Sequence, residues 1–268
     1  MVDTNAFVQK ESGEREPFVL EKLRHSLERV GAKEETIVKI INNIEHDIHD
    51  QTITSRKLFN KAYQELKKRA KPVAARYKLR KAIIELGPSG YPFERFIGEI
   101  FKVQGFDVQV GVNVQGHCVN HEIDVIAIKD NRKVYVECKF HRDGNYKNDV
   151  KIPLYIHSRY RDIERQRRKD PAEKNYNFEG WLITNTRFSD DALRYGYCSN
   201  MTLLGWDQPK KGNLKDRVDL AGLHPLTCLS SLTKYEKKRL LDTNIVLARH
   251  VLESEVMLQN LGLKPQRI

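Results

Sequence analysis

The stretch that decides the fold of this chain is residues 121–140, which read HEIDVIAIKDNRKVYVECKF. Apolar residues dominate both halves of the stretch, and the polar residues 130–132 separate them. Runs of this kind on either side of a short turn predict two antiparallel strands, here over 122–129 and 133–140. The sequence therefore predicts a β-hairpin near the middle of the chain.

Charged side chains stand at defined positions on this hairpin. Glu137 and Lys139 are two residues apart on the second strand, so both point to one face, and Cys138 points to the other. Asp124 stands at the start of the first strand. Two adjacent strands can thus place Asp124 and Glu137 within reach of one cation, with Lys139 beside them.

A pair of carboxylates next to a lysine suggests metal-assisted phosphate chemistry. Mg²⁺, or Mn²⁺ in its place, prefers hard oxygen ligands and keeps several waters. Such an ion activates a water and stabilises charge on a phosphate under attack. Lys139 could orient that water or offset the developing negative charge. The alternative is an ordinary ion pair between neighbouring strands, because Glu-x-Lys is common on strands by chance.

The elements around the hairpin predict an α/β domain. A helix over 92–104 and a strand over 106–110 precede it, and short buried strands over 181–184 and 202–206 flank a helix over 190–197. An order of helix, antiparallel strands, helix, strand, helix and strand is typical of a mixed sheet covered by helices. Ser189 is expected to cap the last helix, in preference to forming a phosphate site at its N-terminus.

This pattern resembles the PD-(D/E)XK nuclease superfamily, closest to its Mrr-like restriction endonuclease branch. The resemblance covers residues 91–207 and rests on Pro92-Phe93-Glu94 and Gly105-Phe106 at the two ends of a helix, on Asp124, and on Glu137-Cys138-Lys139. It implies DNA as the substrate and Asp124 and Glu137 as metal ligands. It implies a catalytic set of Glu94, Asp124, Glu137 and Lys139.

Two points of the resemblance stay open. Glu94 would be an accessory ligand or a group that positions water, and Glu99 on the same helix is its rival for that role. The restriction endonuclease branch often has a glycine-rich lead into its aspartate, whereas residues 119–122 here read VNHE. His121 and Glu122 could join the site, but we expect them only to cap the hairpin.

A basic segment follows the hairpin. Residues 154–162 lead into a helix over 163–169 that is dense in arginine and lysine, with tyrosines interleaved. Such a helix could track a phosphate backbone, with Gln166 facing the site. The expected DNA contacts are Arg159, Arg161, Arg165 and Arg168. A solvated basic surface without a ligand is the alternative.

The N-terminal residues 5–87 predict a separate, mostly helical unit. Apolar residues recur at helical spacing in four segments, after a short strand at residues 7–10. The unit resembles the ATP-cone, a regulatory nucleotide-binding domain. The matching residues are Val8, Lys10, Gly13, Pro17-Phe18, Glu21-Lys22-Leu23, Tyr77 and Arg80.

The ATP-cone resemblance implies ATP or dATP as an allosteric effector. The implied nucleotide contacts are Val8, Lys10, Arg15, Phe18, Lys22 and Arg80. ATP-cones commonly set the oligomeric state, so a homo-oligomer, dimeric or tetrameric, is expected. Glu11 stands where the family often has a second basic residue. A module that has lost nucleotide binding and only mediates assembly is therefore the alternative.

Composition agrees with a nucleic-acid partner. The chain has 268 residues and a formal net charge of +11, and such an excess favours polyanions because bound phosphates release counterions. The four cysteines form no CxxC pair, so a zinc knuckle is not expected. We expect no signal peptide, no membrane span and a cytoplasmic location.

The complete prediction is a multidomain α+β and α/β chain: an ATP-cone over 5–87, a nuclease domain over 91–207, and a linker with a helical region over 208–268. The region's last turn, Leu258 to Leu263, weakly resembles a helix-hairpin-helix, and simple helical packing or dimerisation is equally expected. The predicted function is a Mg²⁺-dependent DNA endonuclease regulated by ATP or dATP, in prokaryotic defence or genome maintenance. The alternative is a non-catalytic, nucleotide-sensing DNA-binding regulator.

Overall fold

A computed structural model describes residues 6–10, 13–28, 30–48, 52–229 and 231–252 of the chain. The chain divides into two compact units between Leu79 and Arg80. The helix-hairpin-helix prediction at residues 258–263 and the departure at Glu11 lie outside the described residues.

The first unit combines a small sheet with helices. Its elements are β1 (Phe7–Gln9), β2 (Arg15–Pro17), α1 (Leu20–Glu28), α2 (Glu34–Ile48), β3 (Thr52–Thr54), α3 (Ser55–Arg69) and most of α4 (Lys71–Ile84). The sheet order is β2-β1-β3, with β1 antiparallel to β2 and parallel to β3. The strand β3 was not predicted, because its three residues run directly into α3 at Ser55 with no turn between them.

The helical periodicity predicted for this unit is confirmed by its core. Leucines and isoleucines from α1, α2 and α3 are fully buried, as at Leu27, Ile40 and Leu66. Thr54 caps α3 by accepting a hydrogen bond from the Lys57 amide at 3.2 Å. Gly13 lies between β1 and β2, and its φ of +87° is a conformation that glycine adopts without strain.

The second unit contains the predicted mixed sheet. Its elements are α5 (Tyr91–Val103), β4 (Asp107–Gln115), β5 (Asn120–Lys129), β6 (Arg132–Lys139), β7 (Lys147–Asn148), α6 (Lys151–Arg167), β8 (Asn177–Thr184), β9 (Arg187–Phe188), α7 (Asp190–Cys198) and β10 (Thr202–Leu204). The order of the main sheet is β10-β8-β6-β5-β4. The strands β4, β5 and β6 are antiparallel, and β6, β8 and β10 are parallel.

Several predicted bounds are corrected. The strand β4 extends to Gln115, and β8 begins at Asn177. The segment 154–162 is no lead-in, because α6 is one continuous helix from Lys151. Pro153 lies in its first turn, where the amide that proline lacks would have no helical partner.

Helices α5 and α6 cover opposite faces of this sheet. Phe101 of α5 packs edge-on against Trp181 of β8, with ring centroids 5.4 Å apart. On the other face of the sheet, Tyr160 of α6 packs against Gly180 of β8. A Cβ atom added to Gly180 would lie 2.9 Å from the Tyr160 ring. Glycine is therefore required for this approach.

The C-terminal part of the second unit is formed by short helices. They are α8 (Leu214–Ala221), a 3₁₀ turn (Leu226–Cys228), α9 (Lys234–Asp242) and α10 (Ala248–Leu252). A capping box between Thr233 and Glu236 starts α9. The helix α8 lies at the start of the stretch predicted as a linker with a helical region. Within the ranges described, no helix has the length and apolar character needed to cross a membrane.

Candidate active site and nucleotide pocket

The hairpin of β5 and β6 places Asp124 beside Glu137. Val125 pairs with Val136, so the preceding Asp124 lies across from Glu137. The Cys138 amide donates a hydrogen bond to Asp124 Oδ2 at 2.7 Å, which fixes the carboxylate on the neighbouring strand. β4 and β5 pair on both sides of Gly111, whose φ is +67° and which falls opposite Asp124.

Glu137 is held by two cationic side chains. Lys139 Nζ contacts Oε1 at 2.7 Å, which confirms that the two residues share one face of β6. Arg159 Nη1 of α6 contacts Oε2 at 2.9 Å. The Glu137 side chain is only 9% exposed, so both ion pairs are partly shielded from water.

Glu94 joins this group, and its rival Glu99 does not. Glu94 stands in the first turn of α5, where the charges of Asp124, Glu122 and Glu137 act on it. Glu99 is instead engaged by Lys102 at 2.7 Å and by His250 at 3.7 Å. The structure thus brings together all four predicted catalytic residues, although their roles remain predictions.

Burial and neighbouring carboxylates raise the pKa values of Asp124 and Glu94. Burial, reinforced by the Glu137 carboxylate, raises the pKa of Asp124 to about 6. Burial, reinforced by Asp124, raises the pKa of Glu94 to about 7. A hard divalent cation would relieve this repulsion, so the donor set of Glu94, Asp124 and Glu137 fits Mg²⁺ or Mn²⁺ in its chemistry.

Among the residues that the structure describes, no three His, Cys, Asp or Glu side chains form a metal-binding group. Each of the two Glu137 oxygens contacts a cationic side chain.

A buried polar network supports the end of β6. The Thr184 hydroxyl donates to the Lys139 carbonyl at 2.7 Å, and Asn148 donates to the same hydroxyl at 3.2 Å. Asn185 and the backbone of His141 exchange two hydrogen bonds of 2.7 and 2.8 Å. Sequence reasoning missed these residues. The available signal was a run of polar residues directly after a buried strand.

His121 belongs to a different contact. Its Nε2 lies 2.8 Å from Asp162 Oδ2 of α6, and the same carboxylate accepts from the Cys118 amide at 2.9 Å. Hydrogen bonds from His121 and Cys118 hold the pKa of Asp162 well below its usual range. His121 therefore anchors the start of β5 and the turn before it to α6, in keeping with a structural role. The Glu122 side chain is exposed.

The four arginines predicted to contact DNA have different surroundings. Arg159 reaches into the carboxylate group, two turns before Gln166, the residue predicted to face the site. Arg161 pairs with Glu164 at 2.7 Å and is largely exposed. Arg168 is tied to Glu164 and to two backbone carbonyls. Arg165 is exposed. Arg161, Arg165 and Arg168 are thus exposed on α6 or at its end and Arg159 is largely buried, and contact of the four arginines with DNA stays a prediction.

A pocket of about 190 Å³ opens in the first unit. Three of the predicted nucleotide contacts, Val8, Phe18 and Lys22, line it. Phe59 and Tyr77 also line it, with their rings stacked 4.8 Å apart. The pocket combines an apolar wall with a lysine.

The basic residues at this pocket are neutralised by a carboxylate. Glu16 bridges Lys10 and Lys22, with both contacts at 3.1 Å. The hydrogen bond from Lys10, and to a smaller extent that from Lys22, lowers the pKa of the Glu16 carboxyl. Arg15 is exposed on β2. Arg80 belongs to the second unit, where its guanidinium donates to the Gly144 carbonyl, so its contact with nucleotide stays a prediction.

Comparison with known proteins identifies the domains. The family model of the ATP cone domain matches residues 6–83, that of a restriction endonuclease domain matches 87–153, and that of the AF1548-like C-terminal region matches 224–268. The chain therefore contains an ATP cone and a restriction endonuclease domain. These matches indicate a nuclease with nucleotide regulation.

The relatives define the family. The chain is 31% identical over 172 residues to an uncharacterized protein of Archaeoglobus fulgidus, covering 64% of this chain and 92% of that protein. It belongs to the family of that archaeal protein. The crystal structure of AF1548, a protein of unknown function, matches with 29% identity and a TM-score of 0.56, covering 67% of this chain and 92% of that one.

A more distant match is the restriction endonuclease MspJI in complex with an oligonucleotide. It is 14% identical, has a TM-score of 0.35, and covers 79% of this chain and 44% of that chain. This similarity is too low to support a conclusion about the site.

Proposed function

We propose that this protein is a metal-dependent DNA endonuclease that uses Mg²⁺ or Mn²⁺ and is controlled by ATP or dATP bound to its ATP cone. The observation that carries the proposal is the position of Asp124 beside Glu137 and Lys139 on the hairpin of β5 and β6, with Glu94 of α5 in the field of both carboxylates. A defence or genome-maintenance role and a homo-oligomer, dimeric or tetrameric, are part of the same proposal.

The residues divide the work of phosphodiester hydrolysis. Asp124 and Glu137 would hold the metal, which supplies an activated water and positive charge at the phosphate. Glu94, with its pKa of about 7, is suited to position the water and to accept its proton. Lys139 offsets charge on the phosphate as the water oxygen bonds to phosphorus and the bond to the leaving sugar oxygen breaks. That oxygen takes a proton from solvent.

The basic surface of α6 would hold the DNA backbone beside this site. Arg161 and Arg165 are exposed and can reach phosphates, and Arg168 lies at the end of the same helix. Backbone contacts of this kind position the duplex without reading its sequence. We therefore propose that α6 supplies affinity and that binding weakens as salt rises.

In the ATP cone, the stacked Phe59 and Tyr77 offer an apolar wall for a base, and Lys10 and Lys22 offer charge for phosphates. The nucleotide would act on the assembly of the protein and, through it, on cleavage.

Plasmid cleavage tests the proposal. The wild type and Asp124→Ala are incubated with supercoiled DNA and Mg²⁺ or Mn²⁺, with and without ATP or dATP. Nicked or linear DNA from the wild type alone supports the nuclease. Nucleotide-dependent binding of DNA that stays intact under every condition would instead support the non-catalytic regulator. Cleavage that ignores nucleotide would contradict only the regulatory part.

A further inference from the structure

We infer that Arg159 is a positioning residue that holds Glu137 in the metal-free protein, releases it when a divalent cation binds, and then contacts the phosphate to be cut. This inference rests on the proposed nuclease function.

The contacts of Arg159 are directed and partly buried. Its Nη1 donates to Glu137 Oε2 at 2.9 Å, and its Nη2 donates to the Glu122 carbonyl on β5. The exposed fractions are 15% for the Arg159 side chain and 9% for that of Glu137. One guanidinium therefore spans both a carboxylate oxygen and the strand that carries Asp124. The planar guanidinium group can serve two acceptors at once, which a single ammonium does less well.

This arrangement competes with a metal. Lys139 takes the other oxygen of Glu137, so both oxygens are engaged. A cation that uses Glu137 would stand beside these two positive charges and compete with them for the carboxylate. Lys139 lies next to Glu137 on the same strand, whereas Arg159 reaches it from a separate helix by a long side chain. Arg159 is therefore the partner that moves when the cation binds, and Lys139 keeps its place on β6.

The residues around Arg159 suit the position that it would take after it releases Glu137. Tyr155 lies one turn earlier on α6, and its ring centroid is 5.6 Å from the guanidinium carbon of Arg159. Tyr155 is 61% exposed to solvent. The guanidinium can thus move over an exposed aromatic surface at the mouth of the site. Guanidinium groups bind phosphate through two parallel hydrogen bonds. A phosphate above the metal would give Arg159 a new partner as Glu137 becomes a metal ligand.

Mn²⁺ binding to the full chain without DNA tests the inference. The wild type, Arg159→Ala and Arg159→Gln are compared by titration with electron paramagnetic resonance detection of free Mn²⁺. Arg194→Ala is the matched control, because Arg194 is an exposed arginine of α7 paired with Asp191. Both Arg159 variants should bind Mn²⁺ about tenfold more tightly, because a close competing charge pair is lost, and Arg194→Ala should match the wild type.

Plasmid cleavage at saturating Mn²⁺ is measured in parallel, and both Arg159 variants should cut more slowly. A merely structural arginine would lower activity without tightening metal binding. Thermal denaturation identifies folded protein, and Arg159→Gln keeps a long polar side chain if Arg159→Ala is unstable. Unchanged or weaker Mn²⁺ affinity in the folded variants overturns the inference while leaving the nuclease intact. If the wild type shows no Mn²⁺ binding that is lost in Asp124→Ala, the proposed function is overturned, and the inference with it.

Discussion

Asp124 and Cys138 are joined across the hairpin, with the Cys138 amide 2.7 Å from Asp124 Oδ2. This hydrogen bond places the Asp124 carboxylate between Glu137 and Lys139, the two neighbours of Cys138. It also ties Oδ2 to the backbone of β6. The backbone of one strand thus orients the acidic group of the next.

Asp124→Asn should abolish metal binding with little change to the shape of the site. The amide oxygen can still accept from Cys138, but the negative charge that attracts a cation is lost. We expect cleavage to fall by at least about 10²-fold, the usual cost of removing a group that stabilises developing charge. Plasmid cleavage and Mn²⁺ titration measure the two effects. Wild-type activity in this variant would exclude Asp124 as a ligand.

Glu94→Gln and Glu99→Gln form a matched pair on α5. Glu94 lies in the field of Asp124 and Glu137, whereas Glu99 pairs with Lys102 and His250. We expect Glu94→Gln to lower the cleavage rate about 10²-fold, as for the loss of a general base. Glu99→Gln should cut like the wild type. Equal losses in both variants would contradict the assignment of Glu94.

Stability should depend on pH through the same carboxylates. The folded-state pKa values of about 6 for Asp124 and about 7 for Glu94 lie above the ordinary values of 3.8 and 4.5. The folded protein therefore holds more protons than the unfolded chain between these limits. Their contribution to stability is present below about pH 4 and is lost as the pH rises to about 7.

Thermal denaturation with and without Mn²⁺ measures this effect. The cation should raise the melting temperature at pH 8, where both carboxylates are ionised, and should have little effect at pH 5, where protons compete with it. Asp124→Asn should melt above the wild type at pH 8 without metal. A Mn²⁺ effect that is equal at both pH values would contradict the raised pKa values.

Much of this arrangement could be predicted from the sequence, because it depends on local periodicity. The positions of Glu137 and Lys139 on one face follow from the alternation within a strand. The contacts of Arg159 with Glu137 and of His121 with Asp162 do not, because they join residues 22 and 41 positions apart through the packing of α6 on the sheet. The length of α6 was also missed, since its first turns carry no clear apolar stripe.

Thr184→Val should weaken the end of β6. The Thr184 hydroxyl is fully buried and connects the Lys139 carbonyl with Asn148. Valine keeps the shape but removes the buried hydroxyl that donates to the Lys139 carbonyl, which costs about 1–3 kcal/mol. Denaturant unfolding measures the loss, and cleavage should fall as Lys139 loses its fixed position. Thr202→Val, the same change at a half-buried position of β10, is the control and should unfold like the wild type.

Glu16→Gln should strengthen nucleotide binding by the ATP cone. Glu16 bridges Lys10 and Lys22, so a triphosphate must compete with its carboxylate for both ammonium groups. Removing the charge frees them, and we expect ATP or dATP to bind about fivefold more tightly, a modest gain because exposed ion pairs are weak. Glu35→Gln is the control, since Glu35 pairs with Lys39 on α2 and does not line the pocket. Isothermal titration calorimetry measures both. If neither the wild type nor Glu16→Gln binds nucleotide, the module serves assembly alone; weaker binding in Glu16→Gln would instead make Glu16 part of the binding site.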